Sequence, residues 1–96
     1  MTEEEFLKRI RAAKVFLRQL ETPDLLCKES DFWTGYIRGV NRLYHGSSYG
    51  TEEEHKRWMR LIWSEDESQR MRGEGYQSGF KGMDIKAAIA AKEREI

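Results

Sequence analysis

Few side chains in this 96-residue chain are spaced for chemistry, and most of those gather around one loop. His45 and His55 flank Gly46-Ser47-Ser48-Tyr49-Gly50-Thr51, which leads into a helix start. A helix N-terminus behind such a loop can hold a phosphate through its free N–H groups. No Gly-Lys-Ser/Thr triplet follows, however, and Glu52, Glu53 and Glu54 already complement the helix dipole and would repel an anion. The loop therefore reads as an interhelical turn. Neither Cys-x-x-Cys nor His-x-x-x-His spacing is present, so no metal ligands are assigned. Cys27 would be a nucleophile only beside a distant base, and its neighbours Leu25 and Leu26 make a buried structural thiol the simpler reading. There is no Ser-His-Asp order and no nucleophile elbow. Carboxylates cluster at helix starts, where capping alone explains them. No catalytic residue and no cofactor is assigned, and the chain is not expected to be an enzyme.

Basic residues interleaved with aromatics are the stronger signal. Arg38 and Arg42 stand one turn apart near Tyr44 and His45, and Arg57 and Arg60 share a side of the next helix. Arg70, Arg72, Tyr76 and Lys81 line the one after it. Phosphate contacts with base stacking use these residue types. Solvated helix faces with intrahelical ion pairs use them too, and the balance of seventeen acidic and seventeen basic residues favours that plainer reading.

The elements that carry these residues are helical. Thr2 and Glu5 form a capping box before Phe6, Leu7, Ile10, Ala13, Phe16, Leu17 and Leu20, which recur at helical steps. Lys8, Arg9, Arg11, Lys14 and Arg18 occupy the other faces. Pro23 ends this helix or opens a short next turn, and residues 24–29 read as a linker, with room for one helical turn that tucks Leu25 and Leu26 inward. Ser30 or Asp31 caps a second helix running to about Tyr44, with Phe32, Trp33, Tyr36, Ile37, Val40, Leu43 and Tyr44 as a broad apolar face. Gly35 and Gly39 each cost about 1 kcal/mol relative to alanine inside a helix, so their missing side chains imply close approach by another helix or a ligand. Gly46 suits a left-handed C-terminal cap. Thr51 with Glu54 repeats the capping box ahead of Trp58, Met59 and Ile62, with His55 beside them. Ser64 with Glu67 offers a further box, opening a fourth helix to about Lys81 with a thin apolar line of Met71, Tyr76 and Phe80. Asp84 caps a final, alanine-rich helix. No period-two alternation competes.

Two strings occur twice. Thr2-Glu3-Glu4-Glu5 returns at Thr51-Glu52-Glu53-Glu54, and Gly35-Tyr36-Ile37-Arg38-Gly39 is echoed by Gly75-Tyr76-Gln77-Ser78-Gly79. The expectation is one all-α domain over residues 1–96, a compact bundle of four to five helices, with two related helix pairs as one version of it. A chain this short buries only about 60–65% of its unfolded surface, so the core is modest and self-association into a homodimer would help it. One cysteine allows no internal disulfide and points to a reducing, cytoplasmic setting. The acidic start lacks the layout of a signal peptide, no apolar run is long enough for a bilayer, and no membrane partner is expected.

Arg72-Gly73-Glu74-Gly75-Tyr76-Gln77-Ser78-Gly79-Phe80-Lys81-Gly82 resembles the first helix of the ribosome modulation factor family, and Phe32-Trp33-Thr34-Gly35-Tyr36 is similar to a later segment of it. The resemblance covers about a dozen to twenty residues, in the opposite order, without the family's strongly basic character. It implies an RNA-binding regulator, with Arg72 and Tyr76 as the positions carried over. The general profile also resembles small phage and mobile-element proteins such as anti-CRISPR inhibitors, in type alone. The expected function is a small non-catalytic protein that masks or scaffolds another, such as a phage-encoded inhibitor of a host protein. Its expected contact residues are Trp33, Arg38, Arg42, Tyr44, His45, Tyr49, Arg57, Arg60 and Trp63, with Trp58 as a further anchor. RNA binding through Arg70, Arg72, Tyr76 and Lys81 is the alternative. A small-ligand or nucleotide pocket near Gly35, Gly39 and His45 is the third.

Overall fold

Two helices in this bundle approach so closely that their backbones touch. The computed structural model describes residues 1–19 and 28–95. They form α1 (Glu3–Gln19), α2 (Lys28–His45), α3 (Glu52–Arg60), α4 (Glu67–Phe80) and α5 (Ile85–Glu95), with 3-10 turns at Gly46–Ser48 and Leu61–Trp63. No strand occurs among the described residues. The expected all-α bundle of four to five helices is what is observed. The expectations for Leu20, Pro23, Leu25, Leu26 and Cys27 fall outside the described residues.

The contact that organises the fold joins α2 to α4. A Cβ placed on Gly35 would fall on the carbonyl oxygen of Arg72, and one on Gly39 would fall on that of Tyr76. Reciprocally, a Cβ on Gly75 would fall on the carbonyl oxygen of Phe32, and one on Gly79 on that of Tyr36. Residue numbers rise together on both helices, so they run parallel, and α3 carries the chain back between them. Equivalent positions in the two helices are related by one constant offset along the chain: Phe32 to Arg72, Gly35 to Gly75, Tyr36 to Tyr76, Gly39 to Gly79. The echoed glycine strings are thus the two halves of a pseudo-symmetric contact. The hydrogens standing where a Cβ would be point at carbonyl oxygens, a weak attraction that recurs at close helix crossings. The thin apolar line of α4 is explained as well. Gly73, Gly75, Ser78 and Gly79 are all buried, so this helix buries backbone where others bury large side chains.

Around this pair α1 packs on α2 and α5, and α3 packs on α4. The core holds Ala13, Phe32, Trp33, Tyr36, Val40, Met71 and Ala88, with Phe6, Ile10, Phe16, Leu17, Ile37, Ile85 and Ile89 against it. Leu7 and Leu43, expected on the apolar faces of their helices, are instead exposed at the edges of those faces.

Helix ends follow the capping logic in most places. Thr2 N–H donates to Glu5 Oε1 (3.2 Å) while Glu5 N–H donates to Thr2 Oγ1 (3.1 Å), a complete box. Gly46 turns at φ +68°, as a left-handed cap requires. Asp84 Oδ1 accepts from Ala87 N–H at 2.8 Å and opens α5. Two expectations are corrected. Ser30 and Asp31 do not cap α2, which is already helical at Lys28. Asp31 is buried and instead accepts from Ser68 Oγ (2.6 Å) and Arg72 Nε (3.0 Å), tying α2 to α4. Ser64 does not cap α4 either. Asp66 does, accepting from the N–H groups of Ser68 and Gln69, while Ser64 Oγ accepts from Asp66 N–H.

Tyr36, on the α2 side of the pseudo-symmetric pair, donates its hydroxyl to the Met83 carbonyl at 2.8 Å. Burial pushes its ionisation up to about 12. The unfolded chain would ionise this phenol near 10 and the folded chain would not, so its stabilising share is complete below pH 10 and is lost as pH rises toward 12. A titration followed by absorbance is expected to show this phenol ionising only as the bundle unfolds, and Tyr36→Phe to remove that late step.

Candidate interaction surface

The short helix α3 is sorted sharply into an inner and an outer face. On its inner face Trp58 stacks on Tyr76 with ring centroids 5.3 Å apart, and His55 lies 4.4 Å from the Phe80 ring. His55 Nδ1 and the Tyr76 hydroxyl are 2.7 Å apart. The 3-10 turn that extends α3 is seated on Gly73, where any Cβ would meet Ile62 N and Leu61 Cβ. On the α2 side Glu54 Oε2 accepts from Arg38 at 3.0 Å, and Glu52 Oε2 from Arg42 at 3.3 Å. The Arg38 guanidinium also lies over the rings of Trp58 (5.0 Å) and Tyr49 (5.5 Å). Glu54 thus completes only the Thr51 half of its box, since Thr51 Oγ1 accepts from Glu54 N–H while its carboxylate serves Arg38.

The outer face is Glu53, Lys56, Arg57, Arg60 and Trp63, all exposed. None of these three cations has an ion-pair partner among the described residues. Trp63 is 80% exposed, although Leu61 and Ile62 beside it are half-buried. Because those neighbours are held on Gly73, the indole projects from an anchored turn rather than from a free loop.

The expected contact residues divide accordingly. Arg57, Arg60 and Trp63 share this outer face. Arg38, Arg42 and Tyr49 form the clamp between α2 and α3, with Tyr49 still 40% exposed. Tyr44 stacks on Phe6 at 4.3 Å, and His45 lies exposed at the end of α2 with its ring edge-on to both. Trp33 is a correction. Its ring is only 2% exposed, packed between Phe16, Phe32 and Tyr36, and cannot anchor a partner. Its helix lies between α1 and α4, so rings on both of its flanks are covered. The alternative RNA set is also not brought together. Tyr76 is 1% exposed beneath α3, so no base can stack on it. Arg72 is bonded to Asp31, and Arg70 donates to the Ser64 carbonyl at 3.1 Å. Lys81 stands exposed at the end of α4. At the proposed small-ligand pocket, Gly35 and Gly39 are closed by the backbone of α4, which leaves no room for a ligand. Sequence reasoning passed over Lys56 and the Asp31–Ser68–Arg72 link. The first is visible as a neighbour of Arg57, whereas the second depends on which helices meet.

The described residues hold no group of three or more potential metal ligands, and no described helix is long and apolar enough to cross a membrane. Comparison with protein-family models, curated proteins and solved structures gave no match.

Burial lowers the His55 pKa below its ordinary 6.5. The unfolded chain therefore takes up this proton first. The neutral ring's contribution is intact above pH 6.5 and declines as pH falls below it. Urea midpoints at pH 7.5 and 5.5 are expected to show lower stability at 5.5, and His55→Gln to flatten that difference.

Proposed function

We propose that this protein acts by binding another protein through the outer face of α3 and its 3-10 extension, masking or bridging that partner without catalysis. The observation that supports the reading is Trp63, a large indole in water on a turn held by its neighbours. Tryptophan and arginine dominate interface hot spots, and here Arg57 and Arg60 lie along the same face as the indole. Holding the turn in advance lowers the ordering cost of docking. The partner surface that fits is an apolar pocket rimmed by carboxylates. Occlusion of such a pocket makes the protein a steric inhibitor, the form expected of a small phage-encoded blocker of a host system.

The test is a photo-crosslinking amino acid placed at position 63 in native host cells. One dominant protein adduct is expected, lost when Arg57→Glu and Arg60→Glu are combined with it. No adduct, or the same adducts from a probe at the exposed Lys86, would refute the assignment.

A further inference from the structure

The outer face of α1 carries a second set of unpartnered cations, far from α3 in the packing order. Lys8, Arg11, Lys14 and Arg18 follow one another at steps of three, three and four, so they lie along one side of the helix. All four are exposed, and none has an acidic partner among the described residues. The one ion pair within α1 joins Arg9 to Glu5 on a different side, at 3.8 Å. By contrast Arg38, Arg42, Arg72 and Lys92 each meet a carboxylate and are used structurally. A net charge of zero therefore conceals a straight cationic edge about 15 Å long.

We propose that this edge binds the phosphate backbone of a nucleic-acid duplex. Its rigid line of regularly spaced charge suits a polyanion of regular charge. A lipid surface fits less well. The large apolar residues of α1, namely Phe6, Ile10, Phe16 and Leu17, face the core, leaving only Leu7 and Val15 outside, whereas an interfacial helix needs a broad apolar face. A protein partner fits less well too, because the stripe has no aromatic anchor. The stripe itself carries no Asn or Gln, the residues that pair with adenine edges. Glu4, exposed at the start of the helix, sets the end of the stripe. This inference does not rest on the Trp63 reading, and it engages different residues.

Fluorescence anisotropy with a labelled 20-base-pair duplex, as DNA and as RNA, tests it alongside the matching single strand. Micromolar binding is expected at 50 mM salt. Four phosphate contacts predict about a hundredfold loss by 200 mM. Changing Lys8, Arg11, Lys14 and Arg18 together to alanine is expected to weaken binding at least tenfold with an unchanged circular dichroism melt. Arg11→Glu alone should act in the same direction. Changing Lys56, Arg57 and Arg60 to alanine should leave duplex affinity within threefold. DNA or RNA duplex binding that meets these criteria supports the assignment and identifies the duplex. Absence of binding at 50 mM salt, a quadruple variant that binds like the parent, equal affinity for the single strand, or tighter binding to phosphatidylcholine–phosphatidylserine vesicles would overturn it.

Discussion

Gly75→Ala is expected to unfold the bundle or to lower its stability by at least about 3 kcal/mol, although alanine is the better helix former by about 1 kcal/mol. The added methyl would occupy the position of the Phe32 carbonyl oxygen, with Tyr36 N close behind it. These are backbone atoms within a helix, so no flexible side chain can move aside. Relief requires α2 and α4 to separate, which loosens the Gly39–Gly79 half of the contact and the Asp31–Arg72 link together. A domain of this size melts about 4–8 °C lower for each kcal/mol lost, so a fall of more than about 12 °C is expected in a thermal melt. Gly50→Ala is the control. Its nearest atoms to a new Cβ are Glu54 Oε2 at 3.7 Å and Arg42 Cδ at 3.9 Å, and its melt should stay within about 2 °C of the parent. Equal melts for the two variants would mean that the helices do not touch as described.

Trp63→Ala is expected to weaken binding to the crosslinked partner by more than thirtyfold, the effect of losing a hot-spot anchor of about 2 kcal/mol or more. The same substitution should leave the thermal melt nearly unchanged, because an 80% exposed side chain contributes little to the core. This separation distinguishes an anchor from a structural residue. Trp33→Ala should do the reverse, lowering the melt through the cavity it leaves. Trp63→Phe should recover part of the affinity, since a smaller ring still enters an apolar pocket.

Local features were the most legible part of this chain. The Thr2–Glu5 box, the Gly46 turn and the Asp84 cap each depend on residues within four positions, and each formed as expected. The glycine spacing at Gly35 and Gly39 implied close approach by another helix or a ligand, but not that the partner is the helix carrying the echo at Gly75 and Gly79. That pairing is a tertiary choice, which the spacing of one helix cannot express. The misplaced rings follow from the same gap. Trp33 and Tyr76 lie on flanks of α2 and α4 that would be open in a two-helix picture, and α1 and α3 cover them. Trp63, expected as a contact residue, stands exposed because Trp58, Met59 and Ile62 define the apolar stripe of its helix without it. Ser64 was misread as a cap because its spacing to Glu67 imitates a box, whereas Asp66 stands closer to the N–H groups of Ser68 and Gln69.

The central claim is that a frame locked by backbone contact holds one indole out in water. Tryptophan emission with acrylamide quenching, compared between the parent and Trp63→Phe, tests it most directly. The account predicts a long-wavelength, readily quenched component in the parent that disappears in the variant, leaving the shielded emission of Trp33 and Trp58. Spectra and quenching that are the same in both proteins would contradict it.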